Sequence, residues 1–178
     1  MRRKIGIIIC LLFIGIIITV SGLAQAEYHL DRFALFTPAE ALQLRMSTRE
    51  LEDFQQNLFF SRDCEAGEAP TAGPYIKVQN PRIDPQLCPP AITCTSPLDL
   101  SVLFETNQAP VDMESLEVSA RKGFFSTSLT LRLRPYIHGT GIFAENIEIP
   151  AGRYCITFSI ADAQGAETVR TYGLNVLP

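Results

Sequence analysis

The chain has 178 residues, with 15 Lys and Arg against 19 Asp and Glu for a net charge of −4, and 47% of its residues are hydrophobic. That acidic balance, with no basic run longer than the start Arg2-Arg3-Lys4, argues against nucleic acid or anionic lipid as a partner. The length suits one domain with a substantial core rather than several.

The first element is a targeting segment. Arg2, Arg3 and Lys4 precede an uncharged, almost wholly apolar run from Ile5 to Val20, and Ala24-Gln25-Ala26 closes it. A positive start, an apolar middle and a small-x-small end read as a secretory signal peptide over residues 1–26, cleaved to leave Glu27 first. The apolar run of 16 residues is shorter than the ~20 that a spanning helix needs, so an uncleaved anchor is the lesser reading. Cys10 follows Ile8 and Ile9, where a lipoprotein signal has a small residue, and reads as part of the apolar run. Losing Arg2, Arg3 and Lys4 takes the net charge from −4 to −7.

Residues 27–72 are read as a helical segment and linker. Thr37-Pro38 is an N-cap followed by proline at the first helical position, and good helix formers run from Ala39 to Met46. Ser47-Thr48-Arg49-Glu50 fits a capping box and so a second start. Leu44, Leu51, Phe54 and Leu58 fall on one helical side, a stripe expected to dock on the domain that follows rather than on a partner. Asp63 to Pro74, rich in Gly, Pro, Ala and Glu, is a linker that Cys64 would pin.

From residue 73 to 178 the apolar period becomes two. Tyr75 to Gln79 forms a first strand, and a Pro-rich connection follows from Asn80 to Pro90. Leu98, Leu100, Val102 and Phe104 alternate with Asp99, Ser101, Leu103 and Glu105, a half-buried strand spoiled only at Leu103. Leu116, Val118 and Ala120 share a face, Gly123 interrupts, and Leu129, Leu131 and Leu133 alternate with Thr130, Arg132 and Arg134 as a further strand. Ile147 and Ile149 run into the turn Pro150-Ala151-Gly152. Tyr154, Ile156, Phe158 and Ile160 then share one face, Asp162-Ala163-Gln164-Gly165 is a hairpin turn, and Tyr172, Leu174 and Val176 return. Short strands without helical period between them favour an antiparallel sandwich.

The segment Pro150-Ala151-Gly152-x-Tyr154, the alternation to Ile160, Ala161-Asp162-Ala163-x-Gly165 and Tyr172-x-Leu174-x-Val176 resemble the last hairpin of bacterial immunoglobulin-like domains. Ser96-Pro97-Leu98-Asp99-Leu100 resembles an earlier core strand of the same modules. The resemblance covers about residues 74–178 and implies an all-β immunoglobulin-like sandwich preceded by a short helical segment. It carries no single activity, since such modules serve as spacers, adhesion units and binders.

After cleavage four cysteines remain: Cys64, Cys88, Cys94 and Cys155. An even number in an exported domain favours two disulfides, with three pairings possible. Cys94 with Cys155 is preferred because both lie at strand edges, leaving Cys64 with Cys88 to close the preceding loop; such a bridge contributes ~3 kcal/mol by chain entropy.

Candidate chemistry is sparse. The two histidines, His29 and His138, do not make a metal set, and His138 sits in a Gly-rich turn. Small periplasmic copper-binding sandwiches are similar in export, size and a Pro-Ala-Gly-x-Tyr turn, but carry histidine at the mature N-terminus where Glu27 stands here. No G-x-S-x-G occurs. Asp112, Glu114 and Glu117, and likewise Glu145 and Glu148, read as solvated strand faces rather than catalytic or calcium-binding carboxylates. Phe124 and Phe125 follow Gly123, and one of them must point away from the core if this is a strand, which makes this corner the preferred interaction site. The expectation is therefore a periplasmic or secreted non-enzymatic module without cofactor, acting on another periplasmic or surface protein, with no nucleic-acid partner and membrane contact only through an uncleaved leader. The alternative is a small binder of copper, calcium or glycan.

Overall fold

The computed structural model describes residues 33–59, 72–84 and 91–178, and the side chains of all of these except 54–59 and 84. The signal segment 1–26, His29, Cys64 and Cys88 lie outside the described residues.

Two sheets face each other. In chain order the strands are β1 (Phe33–Ala34), β2 (Tyr75–Asn80), β3 (Ile83–Asp84), β4 (Ala91–Thr95), β5 (Leu98–Glu105), β6 (Val111–Lys122), β7 (Phe125–Ser128), β8 (Ile137–His138), β9 (Gly141–Glu148), β10 (Gly152–Asp162) and β11 (Glu167–Leu177). One sheet runs β1-β9-β5-β2, with β8 also on β9; the other runs β3-β4-β11-β10-β6-β7. In immunoglobulin lettering β2, β5 and β9 stand as A, B and E, opposed by β11, β10, β6 and β7 as G, F, C and C′. This is an immunoglobulin-like sandwich. β4 runs parallel to β11, and β1 runs parallel to β9 on the edge where a fourth strand of that sheet belongs.

The alternation expected from the sequence is met in the long strands. Tyr154, Ile156, Phe158 and Ile160 on β10 and Tyr172, Leu174 and Val176 on β11 are all buried, as are Leu116, Val118 and Ala120 on β6. Each Val, Leu, Ile and Phe among them contributes about 1.5–3 kcal/mol on burial. The β10–β11 turn closes as read, with Gly165 at φ +83° and the Asp162 carboxylate accepting from the Gln164 and Ala166 amides at 2.9 Å each. At the start of β10 the Tyr154 hydroxyl donates to the Pro150 carbonyl at 2.9 Å, the tyrosine corner of immunoglobulin-like domains. Ile156, two residues on, stands where antibody domains keep a disulfide cysteine, and the chain has no Trp to fill the space beside it. An apolar cavity of about 30 Å³ remains there, lined among others by Leu100, Val118, Ile156 and Tyr172.

The helical segment belongs to this core. Helix α1 (Pro38–Leu44) opens with a complete capping box between Thr37 and Glu40 and proline at its start. Leu35, Phe36, Ala41 and Leu44 are buried with the strand residues, and the Phe36 ring lies 4.9 Å from that of Tyr154. Helix α2 (Thr48–Phe59) follows, its start closed by Ser47 and Glu50. Of the predicted stripe, Leu44 is buried and Leu51 half-buried, while Phe54 and Leu58 are outside the described side chains.

One predicted strand is absent. Residues 129–134 form helix α3 (Thr130–Leu133), followed by a 3-10 turn over Arg134–Tyr136. Leu129 and Leu133 are buried, four apart, whereas Leu131 is 75% exposed. The same three leucines satisfy a period of two and a helical i, i+4 pair, and the core takes the second. Arg132 is therefore not on an outward strand face: its guanidinium holds both Glu40 carboxylate oxygens at 2.8 and 2.9 Å and the Leu35 carbonyl at 2.8 Å.

Candidate functional site

The flank formed by the β6–β7 hairpin, the edge of β7 and α3 carries Phe124, Phe125 and Leu131, three exposed apolar groups; others stand on α1 (Leu42), β9 (Phe143) and β11 (Val169 and Leu177). Lys122 pairs with Phe125, leaving a two-residue loop of Gly123 and Phe124. Gly123 has φ +55° and Phe124 does not share that sign, which is a type II′ turn with glycine at its first central position. The turn points Phe124 wholly into water at 107% exposure, with Phe125 beside it at 57%. The hairpin is tethered at its base: the Lys122 ammonium donates to the Arg45 carbonyl at 2.7 Å and pairs with Glu50 at 3.3 Å. An aromatic ring held in water on an anchored turn is a contact group in waiting, because its exposure has no structural return.

The edge of β7 adds main-chain groups. With Lys122 and Phe125 closing a two-residue loop, antiparallel alternation makes Ala120 and Thr127 the next hydrogen-bonded pair. The bond from the Leu129 amide to the Val118 carbonyl at 2.7 Å continues the series. Ser126 and Ser128 consequently turn their N–H and C=O groups outward, and among the described residues nothing bonds them. Leu131, just past the strand, completes the flank.

Of the predicted corner residues, Phe124 stands in solvent, while Phe125 is on β7, which lies against α1. The open edge and Leu131 were not legible in the sequence; the period-two reading of the three leucines placed Leu131 in a core face.

The Cys94–Cys155 pairing needs correction, while Cys64 and Cys88 lie outside the described residues. Cys94 on β4 and Cys155 on β10 are free thiols. A bridge between them is geometrically excluded. Strand β11 separates their strands, so two spacings of ~4.8 Å already exceed the 7 Å a disulfide tolerates between Cα atoms. Cys94 lies opposite Val176 and shares its inward face, whereas Cys155 alternates with inward Tyr154 and Ile156 and faces outward. There Met46 covers it, sulfur to sulfur at 3.4 Å, leaving Cys155 1% exposed, and burial pushes its thiol up to about 12.

The remaining candidates are dispersed. His138 is exposed on β8, and Asp112 bonds the Glu114 amide at 3.0 Å, a local turn contact. Among the described residues no group of three or more His, Cys, Asp or Glu side chains is placed to hold a metal ion. No described helix is long and apolar enough to cross a membrane.

No family model matches the chain, and no curated protein matches it. Among solved structures, murine CRIg is similar at 11% identity and a TM-score of 0.35, covering 59% of this chain and 98% of that one. At that score the likeness adds nothing to the strand order and tyrosine corner described above.

Proposed function

We propose that the chain is an exported, non-enzymatic immunoglobulin-like module that works by holding another protein at the β7 flank. The observation that carries this reading is Phe124, fully exposed on a hairpin whose base is fixed by Lys122. Burying one such ring against a partner is worth about 1.5–3 kcal/mol, enough to make it a binding hot spot. Export is supported by the Arg2-to-Ala26 pattern and places the partner in the periplasm or on the cell surface.

A photo-reactive residue placed at position 124, with a control at exposed Gln164 in the β10–β11 turn, tests the site in cells. Discrete adducts from position 124 and none from 164 are expected; equal, diffuse labelling from both ends the reading. Mass spectrometry of the same material should find a chain starting at Glu27, and an intact Met1 species held in membranes would contradict export with cleavage.

A further inference from the structure

The acidity of the chain is unevenly spread. From Val118 to Ala144 there is no Asp or Glu, while Arg121, Lys122, Arg132 and Arg134 all fall there, so this stretch carries +4. Elsewhere 11 Lys and Arg stand against all 19 Asp and Glu, a charge of −8. The positive stretch supplies the end of β6, β7 and α3, which together make the flank described above. A local reversal of sign on an acidic molecule marks where an oppositely charged partner is drawn in.

Two of the four cations are already used. Arg132 holds Glu40, and Lys122 pairs with Glu50 at 3.3 Å. Arg121 and Arg134 are exposed and meet no carboxylate among the described residues, those of Glu52 and Asp53 on α2 included. Each stands near an exposed apolar group. Arg121 lies in the stem of the hairpin that carries Phe124, paired across it with Ser126. Arg134 caps α3 in helical backbone three residues after Leu131, so the two project from one side of that helix.

We infer that the protein held at this flank presents an acidic segment, whose apolar side chains cover Phe124 and Leu131 and whose carboxylates take Arg121 and Arg134; this rests on the flank reading above and gives its partner a chemistry. A guanidinium accepts a carboxylate in a two-pronged geometry, and closure of the neighbouring apolar contact partly dries the pair and strengthens it. An extended anionic surface such as a bilayer fits less well, because it would also face the −8 of the remaining chain. A segment of a protein meets the flank alone, and charges beyond a screening length of about 8 Å are largely hidden from it.

The test uses the full chain with the photo-reactive residue at position 124. Sequencing of the trapped segment by mass spectrometry should find Asp and Glu outnumbering Lys and Arg around the adduct; a neutral or basic segment overturns the inference. Arg121→Glu combined with Arg134→Glu should cut the adduct about tenfold, because like charges then meet across the contact. Arg82→Glu, in the β2–β3 connection outside the flank, should leave it unchanged. Both guanidinia of the flank lie in solvent, so the thermal midpoint of the reversed chain should hold. Should it fall, Arg121→Gln with Arg134→Gln removes the charges without reversing them and should still lower the yield about threefold. Full yield from the charge-altered chains overturns the acidic partner and leaves the flank reading standing, whereas no adduct from the parent chain ends both. If no protein is trapped and the chain instead co-sediments with phosphatidylglycerol vesicles but not with phosphatidylcholine ones, the flank faces lipid and both readings fall.

Discussion

At the scale of single residues, two contacts made by the helical segment have measurable consequences. Arg132 reaches Glu40 across the fold, and that guanidinium, with the Thr37 amide, holds the Glu40 carboxyl down at about 2, below its ordinary 4.5. A carboxyl lowered in the folded state stabilises fully above its unfolded value and loses that contribution as pH falls from about 4.5 towards 2. Glu40→Gln should lower stability at pH 7 by about 2 kcal/mol and flatten the acid limb of a denaturation profile over that window. An unchanged acid limb would mean that the pair contributes nothing. Cys155 makes the other contact. With its thiol raised to about 12 and Met46 lying over it, almost no thiolate exists at neutral pH. Cys155 should resist alkylation in the native protein, react in denaturant without any reductant, and label at least tenfold faster in Met46→Gly. Failure to alkylate in denaturant would show Cys155 bridged. Neither contact is legible in the sequence, since 92 residues separate Glu40 from Arg132 and 109 separate Met46 from Cys155.

At the scale of elements, legibility follows how many constraints a segment satisfies locally. The β10–β11 hairpin was readable because alternation, a Gly-bearing turn and a tyrosine two residues after Gly152 all agree within one stretch. α3 was not, because Leu129, Leu131 and Leu133 fit two periods, and only the Glu40 and Leu35 partners of Arg132 decide between them. β4 was hidden by its position after Pro89-Pro90 and by its parallel pairing to a strand some 80 residues later. The caps of α1 and α2 were legible, but that α1 closes the sandwich was not: a division at residue 72 separates Leu35, Phe36, Ala41 and Leu44 from the strands they complete. A chain beginning at residue 73 should therefore lack cooperative unfolding, since those four groups are worth several kcal/mol against a typical stability of about 5–15 kcal/mol. Cooperative melting near the parent midpoint would show that the segment is dispensable. Leu44→Ala in the whole chain should cost about 2–5 kcal/mol by denaturant titration.

At the scale of the molecule, the sandwich keeps the tyrosine corner and fills the place of the disulfide with aliphatic side chains. The fill is incomplete, leaving the apolar cavity of about 30 Å³ beside Val118 and Ile156. The surface facing the cavity is apolar and keeps it dry, so Val118→Ile should raise stability by up to about 1 kcal/mol, and a loss instead would mean that the space is already used. The core thus accounts for the inward faces, and the flank of Phe124, β7 and Leu131 is among the apolar surface it leaves over. Amide exchange at Ser126 and Ser128 reports most directly on whether that flank is a contact surface. In the free protein both amides should exchange within seconds while Phe125 and Thr127, bonded to β6, stay protected; with a bound partner all four should be slow. Protection of Ser126 and Ser128 in the free protein, or none with a partner bound, would contradict it.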